Sequence, residues 1–429
     1  MSYATYERYK DSGVDWLGEI PSDWDLQPAF KYIKENKTKN TGLLENTVLS
    51  LSYGKIIIKP EEKLTGLVPE SFETYQIVEP NDIIIRCTDL QNDKVSLRTG
   101  LVENRGIITS AYLGLKVFQN YNSKFLHYYL HSLDITKAIY KFGTGLRQNL
   151  SFLDFKRLPL VDISLDLQQK IANFLDQKTA QIDQAIALKQ QQIEKLGEYK
   201  QIVIQNAVTK GLNPNAPMKD SGVAWIGDIP EHWEVKKNTH LFNKIGSGTT
   251  PTSSDLSYYD SGDINWLQTG DLNNNYIVAT SRKINQKAMS KFSSLKLYDE
   301  NSLVIAMYGA TIGKVGLLKI KTTTNQACCV LGNSDKVFMK YIFYVMQFAK
   351  NHLISNSYGG GQPNINQDMI KNLRIPYPNL QEQEKIANYL DDLNGKIYKT
   401  SKGYQTQIDR LKEYKNILIN QAVTGKIKI

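Results

Sequence analysis

The chain has 429 residues, 41% hydrophobic and 22% charged, figures that suit a globular protein of more than one domain and argue against disorder of its body. Cys87, Cys328 and Cys329 form no CxxC, which excludes a disulfide scaffold or zinc ribbon, and no apolar run approaches the ~20 residues of a membrane span. A cytoplasmic location is expected, and the net charge of +9 favours an anionic partner, although it is uneven: 26 Lys/Arg against 25 Asp/Glu over residues 1–210, and 26 against 18 over residues 211–429.

The chain opens on Lys10–Leu26, KDSGVDWLGEIPSDWDL. Ile83-Ile84-Ile85 and Ala111–Val117 then read as buried strands, and Phe125–Tyr140 carries helical spacing through Leu126, Tyr129, Leu130 and Leu133. From Leu167 to Val208 no proline interrupts a heptad pattern, with Leu175, Ile182, Leu196 and Val203 on one seam and Ile186, Ile193 and Ala207 on the other. Such a helix would span ~60 Å at about 1.5 Å per residue. One long amphipathic helix packed on its own globule is the alternative to a coiled coil. Gly211-Leu-Asn-Pro-Asn-Ala-Pro217 stops the helix.

The same order then starts again. Lys219–Val235, KDSGVAWIGDIPEHWEV, matches the opening segment at ten of 17 positions. Leu303-Val304-Ile305 and Ala327–Leu331 read as strands, and Lys340–Ser355 as a helix. Lys385-Ile-Ala-Asn-Tyr-Leu-Asp391 copies Lys170-Ile-Ala-Asn-Phe-Leu-Asp176 and leads into a second long helix, with Leu390, Ile397, Leu411 and Leu418 on one seam and Ile408 and Ala422 on the other. Two ordered matches of this quality indicate an internal duplication of about 210 residues. The expected class is α+β: two mixed α/β globules separated by a long antiparallel two-helix coiled coil, related by a pseudo-twofold axis. The expected segments are 1–163 and 213–378 for the globules, and 164–212 and 379–429 for the helices.

No catalytic motif survives inspection. His127-Tyr-Tyr-Leu-His131 has the histidine spacing of a zinc protease without its glutamate. Gly309-Ala-Thr-Ile-Gly-Lys314 is one residue short of a phosphate loop and has Val315 where a magnesium-binding hydroxyl belongs, so it reads as a tight turn. Gly143-Thr-Gly145 lacks a ribose-binding acid, neither half has the Asn/Asp-Pro-Pro-Tyr clamp of amino-methyltransferases, and Glu198-Tyr-Lys200 lacks the upstream Pro-Asp of a metal nuclease. The chain is expected to be non-catalytic, with no metal and no cofactor of its own.

Polar, small and aromatic residues beside strand signals are better candidates, because amides and hydroxyls read base edges and cations hold phosphates. In the second half these are Ser247, Thr249, Thr250, Thr269, Tyr308, Thr311, Lys314, Asn325, Gln326 and Gln362. In the first half they are Ser52, Tyr53, Lys55, Arg86, Lys94, Arg98, Arg105, Arg147 and Gln148.

Three features together resemble the specificity subunit of type I restriction–modification systems. They are Gly13-Val-Asp-Trp-Leu-Gly-Glu-Ile-Pro-x-x-Trp24 with its copy Gly222–Trp233, the duplicated long helices, and the closing segment. The last reads Gly360-Gly-Gln-Pro-Asn-Ile365, Leu373-Arg-Ile-Pro376 and Glu382-Gln-Glu-Lys-Ile-Ala387. The first half departs from this closing pattern, with Arg147-Gln-Asn149 and Leu167-Gln-Gln-Lys170 in the corresponding places.

The resemblance implies that each globule is a target-recognition domain reading one half of a bipartite, asymmetric sequence in double-stranded DNA. It implies that the helix pair sets the spacing, with Leu175, Ile182, Ile193, Leu196, Leu390, Ile397, Ile408 and Leu411 as candidate spacer and docking residues. It further implies two modification subunits that bring S-adenosylmethionine to adenine N6, and two restriction subunits that bring ATP and Mg. No membrane partner is implied. The alternative is a coiled-coil scaffold joining two protein-binding domains.

Overall fold

The structure is a computed structural model that describes residues 3–60, 62, 71–88, 97–141, 150–357 and 363–429. It divides into two compact units, Met1–Gln190 with Gln405–Ile429, and Gln191–Tyr404.

The first part of the chain forms β1 (Tyr9–Asp11), β2 (Glu19–Pro21), β3 (Asp25–Pro28), β4 (Ile33–Glu35), β5 (Leu49–Ser52) and β6 (Lys55–Ile58). It continues with β7 (Gln76–Val78), β8 (Ile83–Ile85), β9 (Thr99–Leu101), β10 (Gly106–Ile108) and β11 (Leu113–Val117). Helices α1 (Ser123–Ile135) and α2 (Phe152–Phe155), strand β12 (Pro159–Asp162) and the 46-residue helix α3 (Leu165–Lys210) follow.

Next come β13 (Met218–Asp220), β14 (Asp228–Pro230), β15 (Glu234–Lys237), α4 (Asn238–Leu241), β16 (Ile245–Ser247), β17 (Ile264–Leu267) and β18 (Asn275–Ile277). They lead to β19 (Arg282–Ile284), α5 (Gln286–Lys291), β20 (Leu303–Ala306), β21 (Val315–Leu318), β22 (Thr323–Thr324) and β23 (Cys328–Leu331). The chain ends with α6 (Met339–Ser355), α7 (Gln367–Asn372), β24 (Arg374–Tyr377) and the 44-residue helix α8 (Leu380–Val423).

In the first unit the central sheet has the order β4-β11-β8-β9. Its middle strand is the unbroken isoleucine run, buried on both faces because α1 covers Ile83 and Ile85 while Ile84 packs with Leu49, Val78 and Ile108. Helix α1 begins where the Asn122 side chain accepts from Phe125 N at 2.9 Å. It ends at Ile135 rather than running on to Tyr140 as its spacing suggested, because Lys137 turns into the left-handed region with φ 60°. In the second unit the corresponding sheet has five strands, β16-β23-β20-β21-β18, with a further sheet β19-β17-β22 beside it.

The copied residues build the same frame in both units. β3 pairs with β12 and β15 with β24, so each globule is closed by its own ends. A fully buried glutamine at the start of each long helix then fixes the junction. Gln168 accepts from Asn122 N (2.8 Å) and donates to Ile163 O (2.8 Å); Gln383 accepts from Phe338 N (2.9 Å) and donates to Pro378 O (2.8 Å).

Two turns on, the last residue of each copied heptapeptide holds the globule's helix. Asp176 takes Lys124 Nζ at 2.6 Å and the Tyr128 hydroxyl at 2.9 Å. Asp391 takes Lys340 Nζ at 2.7 Å, the Tyr344 hydroxyl at 2.6 Å and, in addition, the Tyr276 hydroxyl at 2.8 Å. Burial alone would raise the Asp391 carboxyl, but these three donors outweigh it and hold the group below its usual range.

The long helices also close the frame at their far ends. In the first unit Leu418, Ile419, Ala422 and Val423 of α8 join the core around Trp24, and Gly425 turns away with φ 72°. A Cβ there would lie 2.5 Å from Pro21 and 3.0 Å from Trp24. In the second unit Ile204, Ala207 and Val208 of α3 join the core around Trp233, and Gly211 turns with φ 73° against that indole. Within the first unit Asp183 pairs with Lys415 at 2.7 Å, and six residues further along α3 Lys189 donates to Gln407, so the two helix stretches run in opposite senses.

The seam residues divide by position. Leu175 and Ile182 belong to the first core and Leu390 to the second, and Ile408 is buried. Leu411 packs half-buried on the first core, and Ile193, Leu196 and Ile397 are half-buried. Among the described residues, no helix is long and apolar enough to cross a membrane.

Candidate functional site

Strand polarity gathers the diverged loops of the second unit at one pole. β16, β20 and β17 end there, and β21 and β23, antiparallel to β20, begin there. The connections at this end are 248–251, 268–274, 307–314 and 325–327, which carry Thr249, Thr250, Thr269, Tyr308, Thr311, Lys314, Asn325 and Gln326. Ser247 is the last residue of β16, at the same end.

Cross-links between the loops make one surface of them. Thr311 Oγ1 donates to Thr269 O (2.9 Å), Lys314 Nζ to Asn273 Oδ1 (2.9 Å), and Thr250 Oγ1 to Gln326 Oε1 (2.6 Å). The Gly309–Lys314 segment is a tight hairpin connection, closed by Gly313 N to Ala306 O at 2.9 Å, with φ 83° at Gly309 and 71° at Gly313. Gly248 packs so closely on β22 that a Cβ would lie 1.7 Å from Thr324 O.

The surface is rich in amides and hydroxyls. Besides Lys314, further cations stand to one side of it, on β19 and α5. Arg282 opposes Trp266 in the β19–β17 ladder and lies over the Tyr259 ring, 5.2 Å from its centroid, and Lys287 lies over Tyr258 at 5.2 Å. These residues were missed in the sequence reading. Their signal was present, since Arg282–Lys291 holds four cations and no acid.

The first unit has the same pole at the end of β8. Leu150 N donates to Cys87 O there (3.0 Å), as Ile365 N donates to Met307 O (2.8 Å) beyond β20. The β5–β6 hairpin reaches this end. Its turn residues Tyr53 and Gly54 have φ 48° and 78°, and a Cβ on Gly54 would lie 3.1 Å from Leu97. The Tyr53 ring is 94% exposed, with Lys55 exposed and Ser52 half-buried beside it. Arg86 follows β8 at the same end.

Two first-half candidates lie elsewhere. Arg98, a candidate for DNA contact by its sequence, is fully buried, and its Nη1 donates to Thr88 O (2.8 Å) and Arg86 O (3.2 Å). It holds the β8–β9 edge together because those carbonyls need a buried donor. Arg105 lies beyond the opposite end of that ladder, paired with Glu79 (2.7 Å) and Glu45 (3.1 Å). Lys94, Arg147, Gln148 and Gln362 fall outside the described residues.

Beneath the hairpin is a cavity of about 540 Å³ lined by Tyr53, Lys55, His127, Tyr128, His131 and Asp183, among others. The two imidazoles stack with centroids 5.9 Å apart. Burial pushes His127 down to about 4, and burial with the neighbouring His127 pushes His131 down to about 3. Both are neutral at pH 7. No group of His, Cys, Asp and Glu among the described residues forms a metal site.

Residues 230–410 match the family described as type I restriction modification DNA specificity domain. The chain is 24% identical over 426 residues to the type I restriction enzyme MjaVIII specificity subunit of Methanocaldococcus jannaschii, covering 96% of this chain and 94% of that one. It is 34% identical over 176 residues to the MjaIX specificity subunit of the same organism, covering 39% of this chain and 40% of that one. A chain solved in work on complex assembly and conformational transition of the type I R-M system superposes with a TM-score of 0.71 at 14% identity, covering 94% of this chain and 98% of that one, which shows the shared fold.

Proposed function

Because the chain is a member of the type I restriction–modification specificity-subunit family, we propose that each of its globules reads one half of a bipartite, asymmetric target in double-stranded DNA. One observation carries this reading. Residues copied between the halves, such as Trp24 and Trp233, Gln168 and Gln383, and Asp176 and Asp391, build the frame, whereas diverged loops of the second unit collect at one pole and the β5–β6 hairpin and Arg86 of the first unit lie at the matching end. A shared frame with dissimilar reading loops is what two different half-sites require.

In this proposal residues 1–163 and 213–378 are the recognition domains. Segments 164–212 and 379–429 pair as an antiparallel coiled coil within a pseudo-twofold duplication, set the half-site spacing and dock the other subunits. The chain itself performs no chemistry. Two modification subunits supply S-adenosylmethionine for adenine-N6 methylation, and two restriction subunits supply ATP and Mg. The work of this chain is placement in the cytoplasm, of a duplex against enzymes it does not contain.

The test is duplex binding against salt. Phosphate contacts impose a steep inverse dependence of affinity on salt, and a random duplex pool should yield two enriched motifs at fixed spacing. With labelled S-adenosylmethionine the lone chain should transfer nothing until a modification subunit is added. Transfer by the lone chain would overturn the reading, and absence of duplex binding at every salt concentration would leave the protein-only scaffold.

A further inference from the structure

Among the amides of the second unit's pole, Gln326 is exposed and is held by a side-chain hydroxyl of a neighbouring loop. Its loop is fixed on both sides. Asn325 N donates to Leu267 O at 3.0 Å, and Ala327 N returns to Asn325 Oδ1 at 3.2 Å, so the backbone beneath Gln326 is tied to β17 and folded on itself. The side chain is exposed at the surface of the pole.

Its partner Thr250 sits on a loop held at three neighbouring residues. Gly248 N donates to Thr324 Oγ1 (3.1 Å), the Trp266 indole donates to Thr249 O (3.2 Å), and the Tyr259 hydroxyl donates to Pro251 O (2.7 Å). Only glycine fits at 248, where the loop meets β22. Thr250 Oγ1 therefore reaches Gln326 from a rigid base and donates to its Oε1 at 2.6 Å. That bond uses one lone pair of the carbonyl. The second lone pair and the adjoining NH2 group of this exposed residue make no hydrogen bond among the described residues.

An acceptor and a donor in one plane are complementary to the N6–H and N7 of adenine in the major groove. The other three bases do not offer that pair in that order. We propose that Gln326, buttressed by Thr250, reads one adenine in the half-site of the second globule, with Thr250 a positioning residue that touches no base. This inference rests on the DNA-reading function proposed above. Preorganisation is the reason to single out this amide, since a side chain already held in its bound rotamer loses no freedom on contact.

The experiment selects from a random duplex pool with the full chain and with four variants. Gln326→Ala should relax one adenine position by about tenfold or more and leave the rest of both half-sites intact, because a good bidentate pair supplies discrimination of that order. Gln326→Glu should move the same position toward cytosine, whose N4 amine suits an acceptor. Thr250→Val should weaken the same position by a smaller factor, and Thr250→Ser should restore it.

If both Gln326 variants enrich the parental motif unchanged, the inference is wrong while DNA reading stands. If Gln326→Ala degrades every position of the half-site, Gln326 is a structural residue and the inference is again wrong. A parental chain that enriches no motif would overturn the DNA-reading function together with this inference.

Discussion

The two units share a frame but close it differently. In the second unit every segment lies between residues 191 and 404, and the chain runs unbroken from α3 through the connector into β13. The first unit is assembled from residues 1–190 and 405–429, and residues 4–19 meet residues 425–428 through hydrogen bonds. Lys428 N donates to Ala4 O at 2.8 Å, the Tyr9 hydroxyl donates to Gly425 O at 3.1 Å, and Lys426 Nζ donates to Glu19 O. The frame is thus specified by packing around Trp24 or Trp233 and not by the route of the chain. A second difference lies on the globule helices, where α1 has the stacked His127 and His131 and α6 has Phe343 and Gln347.

The largest test of that equivalence removes each indole in turn. Trp24→Ala should destabilise the first unit by about 3–5 kcal/mol, and Trp233→Ala the second by the same order. Hydrogen exchange should show protection lost from one set of amides only. Loss from both would mean that the units fold as one.

Acid should then separate them. The folded values of His127 and His131 lie below the ordinary 6.5, at about 4 and about 3. The unfolded chain therefore takes up protons first, and the first unit loses stability as pH falls from about 6.5 toward 4, by roughly 5 kcal/mol at pH 4.5 for the two histidines together. Replacing the pair by the second unit's residues, His127→Phe with His131→Gln, should abolish that loss in urea titrations at pH 7 and 4.5.

The anchoring carboxylates give a smaller contrast. Asp391→Asn should cost about 1–3 kcal/mol and Asp176→Asn about half as much, since Asp391 holds three donors and Asp176 two. The smallest expected effect is that of a circular permutant. Joining Ile429 to the N-terminus through a short linker and opening the chain between Asn213 and Pro214 exchanges the two modes of closure. It should shift the melting temperature by no more than a few degrees.

What was legible in the sequence followed from local pattern. Ile83–Ile85 had to be a buried strand because three β-branched residues in a row fit little else, and the long helices showed through seams that no proline breaks. The end of α1 was not legible, because Lys137 is an unusual residue for the left-handed turn that stops it. Arg98 was misread because its type suggests a surface, whereas the carbonyls it satisfies become neighbours only when β8 and β9 pair. The Thr250–Gln326 contact joins residues 76 apart, and the Tyr276–Asp391 contact joins residues 115 apart; no local spacing encodes either. The polar loops were found as a class, and their convergence on one pole needed the strand order.

The split composition of the first unit bears on how the protein is made. Leu418, Ile419, Ala422, Val423 and Ile427 complete the core around Trp24, so that core stays open until residues 418–427 have been synthesised. Residues 191–404, the 214 positions between the two parts, are synthesised meanwhile. At about 5–20 residues per second this is a delay of roughly 10–40 s. The second unit needs nothing beyond Tyr404 and is free to fold while the tail is still emerging. The usual order of co-translational folding is thereby reversed: the half translated last matures first, and the half translated first waits, with apolar surface uncovered, for its final helix.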